Sequence, residues 1–258
     1  KSRGNRILVD KGDRGDAVAE SVSIEFGPLH EAVFIERPNR FVLHCRLLNS
    51  GEVISAHLAD PGRLIELLIP GARIWLRYVD APHRKTKWSA ILVETNEGDS
   101  FVSLQSTLVN HLVKKALQRG YLEELKGWDY VRAEYPLNHS RWDFLLQNRK
   151  GENLILEVKS VTLVENGVAM FPDAVTARGR RHVLQLAELA QTTNLHTAVL
   201  FIVQRNDPEQ FRPAHHIDPA FGEALQKASK EGVELYVRRC CVDLEKITLG
   251  DSIPIELD

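Results

Sequence analysis

Long apolar runs are missing from these 258 residues. No stretch approaches the roughly 20 residues that a bilayer-spanning helix requires, so no membrane partner is expected. The start, Lys1-Ser2-Arg3-Gly4-Asn5, lacks the apolar core of an export signal. Cysteine is scarce. Cys45, Cys240 and Cys241 have no metal-ligand spacing, and the adjacent pair is poorly placed for a mutual disulfide, which points to a reducing cytoplasm. Nor is there a surplus of charge of one sign: 33 Lys and Arg face 35 Asp and Glu, for a net charge of −2. That excludes binding nucleic acid through bulk charge alone. The distribution is less even, since residues 104–205 hold 13 basic against 10 acidic residues, and 206–258 hold 6 against 11. Internal repeats, low-complexity tracts and an evident helix-turn-helix are also lacking.

What is present divides into three parts. Residues 1–27 mix charge and glycine and read as a loosely attached extension, with a possible strand at 22–26. From 28 to 103 the pattern is strand after strand, at 29–36, 40–49, 53–57, 73–78 and 88–95, separated by turn signals such as Asn49-Ser50-Gly51 and Pro70-Gly71. A short helix is expected at 61–68, between the third and fourth. Five strands with a helix after the third is the OB-like β-barrel arrangement. From 104 to 258 the period lengthens. Leu108, Leu112, Val113, Ala116 and Leu117 recur at helical spacing up to Gly120. Strands are expected at 130–138, 141–147 and 154–164, then a helix at 174–191, an apolar strand at 198–204, a helix at 219–231 and a strand at 233–241. The fold class is therefore α/β (α+β), a barrel followed by an αβββαβ domain with a mixed central sheet.

Charge inside this second part carries the chemistry. Asp143 interrupts the strand Arg141-Trp142-Asp143-Phe144-Leu145-Leu146, and Glu157 and Lys159 close the run Leu154-Ile155-Leu156-Glu157-Val158-Lys159. Strands this apolar belong in a covered sheet, where charge is expensive to place. Glu157 and Lys159 share one face because side chains alternate along a strand. If the two strands pair as a hairpin, Asp143 comes alongside. A salt bridge at a sheet edge is the plain alternative. The spacing Asp-x(13)-Glu-x-Lys on adjacent strands after a helix instead resembles the PD-(D/E)xK nuclease signature. In that reading Asp143, Glu157 and the Val158 carbonyl hold Mg²⁺ or Mn²⁺, and Lys159 orients water or offsets transition-state charge. Glu134 is a further candidate acid, and Asp173 a weaker one that equally suits a helix N-cap.

Nucleic-acid contacts are expected from two surfaces. Arg178, Arg181, His182 and Gln185 recur at i, i+3, i+4 and i+7 on one helix face, a solvated stripe or a phosphate-contacting one. In the barrel, His83-Arg84-Lys85-Thr86-Lys87-Trp88 is a basic loop ending in an aromatic, the combination with which OB folds hold strands. Arg37, Arg40, Arg46, Arg63 and Arg141 extend these surfaces. His215, His216 and Asp218 suggest zinc only weakly, because adjacent histidines on extended chain point apart.

Phe171-Pro172-Asp173-Ala174-Val175-Thr176-Ala177-Arg178-Gly179, followed by His182 and Leu186, resembles the signature of the sugar fermentation stimulation protein A family. Ser140-Arg141-Trp142-Asp143, Glu157-Val158-Lys159, Asn110 and the stretch Ala56 to Leu64 agree with it. The resemblance covers roughly 28–245 and implies an OB-like domain joined to a PD-(D/E)xK-type domain, with nucleic acid, DNA foremost, as partner. Where the family usually has Pro-Asn-Thr-Gly, this chain has Ala59-Asp60-Pro61-Gly62, and Asp60 would repel a phosphate. Two functions are consistent with all of this: a metal-dependent nuclease, or a non-catalytic DNA-binding regulator of sugar (maltose-type) metabolism. A homo-oligomer is left open.

Overall fold

The computed structural model describes residues 20–258. Of the extension expected at 1–27, residues 1–19 lie outside the described residues. The part that follows is not loosely attached: β1 (Ser23–Glu25) is flanked by the buried Val22 and Phe26. These two apolar side chains have a core to enter, and that burial offsets the ordering of the short strand.

Strands β2 (His30–Asn39), β3 (Val42–Leu47), β4 (Val53–His57), β5 (Arg73–Tyr78) and β6 (Trp88–Glu94) form a closed five-stranded barrel. The order is β4-β3-β2-β5-β6, and a parallel pairing of Ala56 with Trp88 and His57 with Ser89 shuts the ring. Closure leaves no free edge among these five. The strand β7 (Phe101–Ser103) lies beside β6. Alternation puts Phe34, Leu43, Cys45, Ile74 and Leu76 inside. Residues 61–68 do not form the expected helix. They make turns, with Leu67 and Leu68 both donating to the Leu64 carbonyl (3.1 and 2.8 Å). Leu64 stands in the left-handed region (φ 54°), which no regular helix tolerates. Burial of Leu64, Leu67 and Leu68 in the barrel core overrides local propensity here.

The second unit begins with α1 (Ser106–Gln118), then β8 (Trp128–Leu137), β9 (Ser140–Asn148) and β10 (Asn153–Val161). Two short strands, β11 (Leu163–Glu165) and β12 (Val168–Phe171), precede α2 (Ala177–Thr192) and β13 (His196–Val203). The chain continues through β14 (Gln210–Pro213), α3 (Pro219–Lys230), β15 (Val233–Val242) and β16 (Lys246–Ser252). The mixed seven-stranded sheet runs β1-β16-β15-β13-β10-β9-β8. Its centre, β10, β13 and β15, is parallel, and the flanks are antiparallel. The strand expected to run through 154–164 breaks at Thr162, and β11 joins β12 and β14 in a separate small sheet. The helices α2 and α3 cover one face of the large sheet. On the other face α1 packs together with Trp75, Ile91 and Leu92 of the barrel, so barrel and sheet share one apolar cluster. No helix among the described residues is long and apolar enough to cross a membrane.

Candidate active site

β9 and β10 pair from Gln147/Asn153 to Phe144/Leu156. One residue further the backbone ladder stops, and Asp143 takes over the pairing with its side chain. The Val158 N–H donates to Asp143 Oδ2 at 2.7 Å, and Asn110 of α1 donates to Oδ1 at 2.8 Å. Both carboxylate oxygens are thereby fixed. Glu157, only 5% exposed, lies level with Asp143 on the next strand. Its Oε1 accepts from Lys159 Nζ at 2.6 Å and from His182 Nδ1 at 2.8 Å. Facing a carboxylate that can only accept, Nδ1 carries the proton. Glu157 Oε2 is buried and has no partner.

The electrostatics follow from these contacts. Burial, then the Glu157 charge, push the Asp143 carboxyl up to about 6, against the pull of the Val158 N–H, Asn110 and Lys159. Burial acts on Glu157 in the same direction. There the hydrogen bond from His182 and the Lys159 ammonium outweigh it, and the Glu157 carboxyl falls below its ordinary value. At neutral pH two ionised carboxylates therefore stand together with one ammonium. An orphaned buried acceptor costs roughly 1–3 kcal/mol, and a hard cation between Glu157 Oε2 and Asp143 would remove that penalty. The donor set fits Mg²⁺, Mn²⁺ or Ca²⁺ better than zinc. Among the described residues no group of three or more His, Cys, Asp or Glu side chains stands at metal-holding positions. Two carboxylates and one backbone carbonyl, Val158 being the candidate, would thus be the protein's whole share.

The other sequence-derived candidates divide. Glu134 stands level with Asp143 on β8, between the Ala133/Phe144 and Tyr135/Trp142 pairs. It does not join the site: its backbone is left-handed (φ 50°), and its side chain, 74% exposed, meets Arg141 at 3.8 Å. His182 is not on a phosphate-facing stripe. It is 4% exposed, bound to Glu157 and packed on Trp142 with ring centroids 5.4 Å apart. The buried face of α2 is Gly179, His182, Val183 and Leu186, which takes the histidine inward, while Arg178 and Arg181 stay exposed. Asp173 does not cap α2. Thr176 does, accepting from the Gly179 N–H at 3.0 Å, and Asp173 Oδ2 meets the Leu64 N–H at 3.4 Å across the seam to the barrel.

In the barrel, Arg37 is a structural clamp. It donates to the carbonyls of Gly62, Arg63 and Arg40 at 2.7–2.9 Å, which leaves little of it for a phosphate. Arg84 is tied to Ser89 and the Thr86 carbonyl, Arg46 to the Gly51 carbonyl, and Lys87 to Asp80 at 3.4 Å. Trp88 is half-buried, held edge to face between His30 and Tyr78 at 5.1 Å from each, because its strand closes the barrel. Arg40, Arg63 and Lys85 are exposed. The zinc suggestion fails: His215 faces the Leu257 carbonyl, His216 faces Glu165, and Asp218 caps α3. Asn110 fits the family pattern, but its hold on Asp143 carries no signal in spacing or periodicity.

Comparison with known proteins agrees with this architecture. A family model described as the SfsA N-terminal OB domain matches residues 35–104, and one described as the sugar fermentation stimulation protein RE domain matches 107–246. The sugar fermentation stimulation protein homolog of Shouchella clausii (strain KSM-K16) is 41% identical over 228 residues, 88% of this chain and 97% of that protein. The homolog of Moorella thermoacetica is 41% identical over 230 residues, 89% and 97% of the two chains. The structure of Pyrococcus furiosus SfsA in complex with Ca²⁺ superposes with a TM-score of 0.82 at 28% identity, covering 92% of this chain and all of that one. The chain belongs to the sugar fermentation stimulation protein family.

Proposed function

We propose that this protein binds nucleic acid, DNA foremost, and hydrolyses phosphodiester bonds at Asp143, Glu157 and Lys159 with Mg²⁺ or Mn²⁺. The observation that carries the reading is Glu157 Oε2, a buried carboxylate oxygen without a partner beside a second carboxylate and an ammonium. A related protein of the same fold is described as a Ca²⁺ complex, which supports a divalent ion here. When bound, such an ion lowers the pKa of a coordinated water and neutralises charge developing on the phosphate. The protein's residues do the rest. Asn110 and the Val158 N–H lock the Asp143 carboxylate in one orientation. His182 and Lys159 hold Glu157 Oε1, so Oε2 is the oxygen that would hold the ion. Lys159 supplies a positive charge at the same spot, suited to a non-bridging phosphate oxygen. Exposed Arg63, Arg178 and Arg181, with Arg40 and Lys85 on the barrel, would meet neighbouring phosphates. Three free cysteines and these ligands suit the cytoplasm.

The test is cleavage of labelled single- and double-stranded DNA and RNA. Nicking or degradation is expected with Mg²⁺ or Mn²⁺ and not with EDTA, and Glu157→Ala and Lys159→Ala should each lower it by at least about a hundredfold while sparing affinity. Retention of nucleic acid without cleavage under every metal condition would replace hydrolysis by the regulator's role.

A further inference from the structure

A cavity of about 190 Å³ opens where the barrel meets the large sheet. Asp60 of the barrel loop, Ser106 of α1, Ser160 and Thr162 at the end of β10, and Phe171 and Asp173 before α2 contribute to its walls. Drug-sized ligands occupy pockets of roughly 300 Å³ and more, so this one suits a single ring system. Its chemistry selects the occupant. Asp60, 6% exposed, takes one hydrogen bond, from the Gly62 N–H at 2.7 Å, and Asp173 takes only the long one from Leu64. A carboxylate has room for about four. Arg37 lies close enough for its charge to act on both, yet it donates to backbone carbonyls. Two under-used carboxylates repel a phosphate and attract N–H donors. Phe171, backed by Phe201 and Phe221 at 5.7 and 5.1 Å between centroids, offers an aromatic wall. The Ser160 hydroxyl accepts from Gln204 at 2.7 Å, which frees its own proton to be donated elsewhere.

The cavity also adjoins the candidate active site. Ser106 is four residues before Asn110 on α1, one turn or about 6 Å along the axis, and Asn110 holds Asp143. Ser160 follows Lys159 on β10 but lies on the opposite face of the sheet, the one toward α1 and Asn110. With only one helical turn between Ser106 and Asn110, a strand whose scissile phosphate met Asp143 and Glu157 would bring a neighbouring nucleotide near the cavity.

We propose that this cavity receives one unpaired base of the bound DNA strand, guanine before the others. Guanine presents N1–H and N2–H side by side on its Watson–Crick edge, the pair a carboxylate accepts from; extruded bases are read along that edge and by stacking. Thymine offers one N–H between two carbonyls, which these carboxylates repel. The inference rests on the nucleic-acid reading given above and names the substrate feature it selects: a bulged, mismatched or single-stranded position.

The experiment is fluorescence anisotropy in EDTA, so that binding is read without cleavage. Short duplexes carry one unpaired G, A, C or T, beside a fully paired control. The unpaired-G duplex should bind about tenfold tighter than the paired one and the unpaired-T duplex. Asp173→Asn should narrow that preference to within about twofold while keeping affinity for the paired duplex, and Ser160→Ala, which removes the hydroxyl donor, should narrow it too. Should Asp173→Asn not fold, Ser160→Ala decides. Equal affinity for all duplexes, or an unchanged preference in the folded variants, overturns the proposal. Where no duplex binds in EDTA the same comparison is made with Ca²⁺, and absence of binding in both removes the nucleic-acid reading as well. A G preference without cleavage in Mg²⁺ leaves the cavity assigned and removes only hydrolysis.

Discussion

His182 shows how one side chain can set a site that it does not belong to chemically. Its Nδ1–H occupies Glu157 Oε1, so Oε2 alone is left for a cation. Groups that orient a metal's carboxylate typically contribute 10–100-fold in metal affinity. His182→Ala is therefore expected to weaken Mn²⁺ binding, followed by isothermal titration calorimetry, by at least about tenfold. His182→Asn, whose amide nitrogen falls near Nδ1, should restore much of it. An affinity unchanged in both variants would reduce the contact to packing. The two carboxylates and the lysine were legible because charge inside apolar strands is costly and because strand alternation fixes faces. The histidine was not. Its i+4 relation to Arg178 placed it on a basic stripe, whereas its neighbours Gly179, Val183 and Leu186 carry the helix's buried side. Asn110 is a neutral amide on the edge of an amphipathic helix, and only the third dimension brings it to Asp143.

The elements that hold these residues start where a buried side chain says so. Asp218, 4% exposed, caps α3 by accepting from the Phe221 N–H at 3.0 Å. Its other oxygen accepts from the Thr176 N–H at 2.8 Å, and Thr176 is the N-cap of α2. One carboxylate thus pins the starts of both helices that cover the sheet above Glu157. Asp218→Ala removes a cap and leaves a buried N–H without a partner, for a loss of about 2–3 kcal/mol. Urea denaturation should show a lower midpoint at an unchanged slope; a loss below about 0.5 kcal/mol would mean that water replaces both bonds. Long, strongly patterned elements were legible to within a few residues, as in β4, β5 and α3. The three-residue strands β7 and β11 were not legible as separate strands, since so short a run carries almost no period, whereas β1 falls within the strand expected at 22–26. The small β11-β12-β14 sheet is held by pairings distant in sequence, which leave no local mark. At 61–68 the apolar spacing of Leu64, Leu67 and Leu68 is helical, but the barrel interior they fill dictates a turn.

At the scale of the whole molecule the seam between barrel and sheet stores unfavourable charge. Gly62 is pressed between Asp60 and Asp173 so closely that a Cβ there would run into both carboxyls. Burial, with the Asp173 charge adding to it, raises the Asp60 carboxyl from 3.8 to about 6, despite the Gly62 N–H and the Arg37 charge. The folded chain therefore holds this proton more tightly than the unfolded chain. The resulting destabilisation is full above pH 6, shrinks as the pH falls through 6, and is gone below about 4, where both states are protonated. Asp60→Asn keeps the acceptor for Gly62 and removes the charge. It also places the asparagine of the Pro-Asn-Thr-Gly pattern at this position. At pH 7.5 the variant should be more stable by about 3 kcal/mol, the equivalent of the shift. The difference from the unsubstituted protein should decline between pH 7 and 4 and vanish there. Thermal or urea unfolding across that range would measure it. A difference that stays constant with pH would trace the effect to packing instead of ionisation, and an equal stability at pH 7.5 would mean that Arg37 already neutralises the seam.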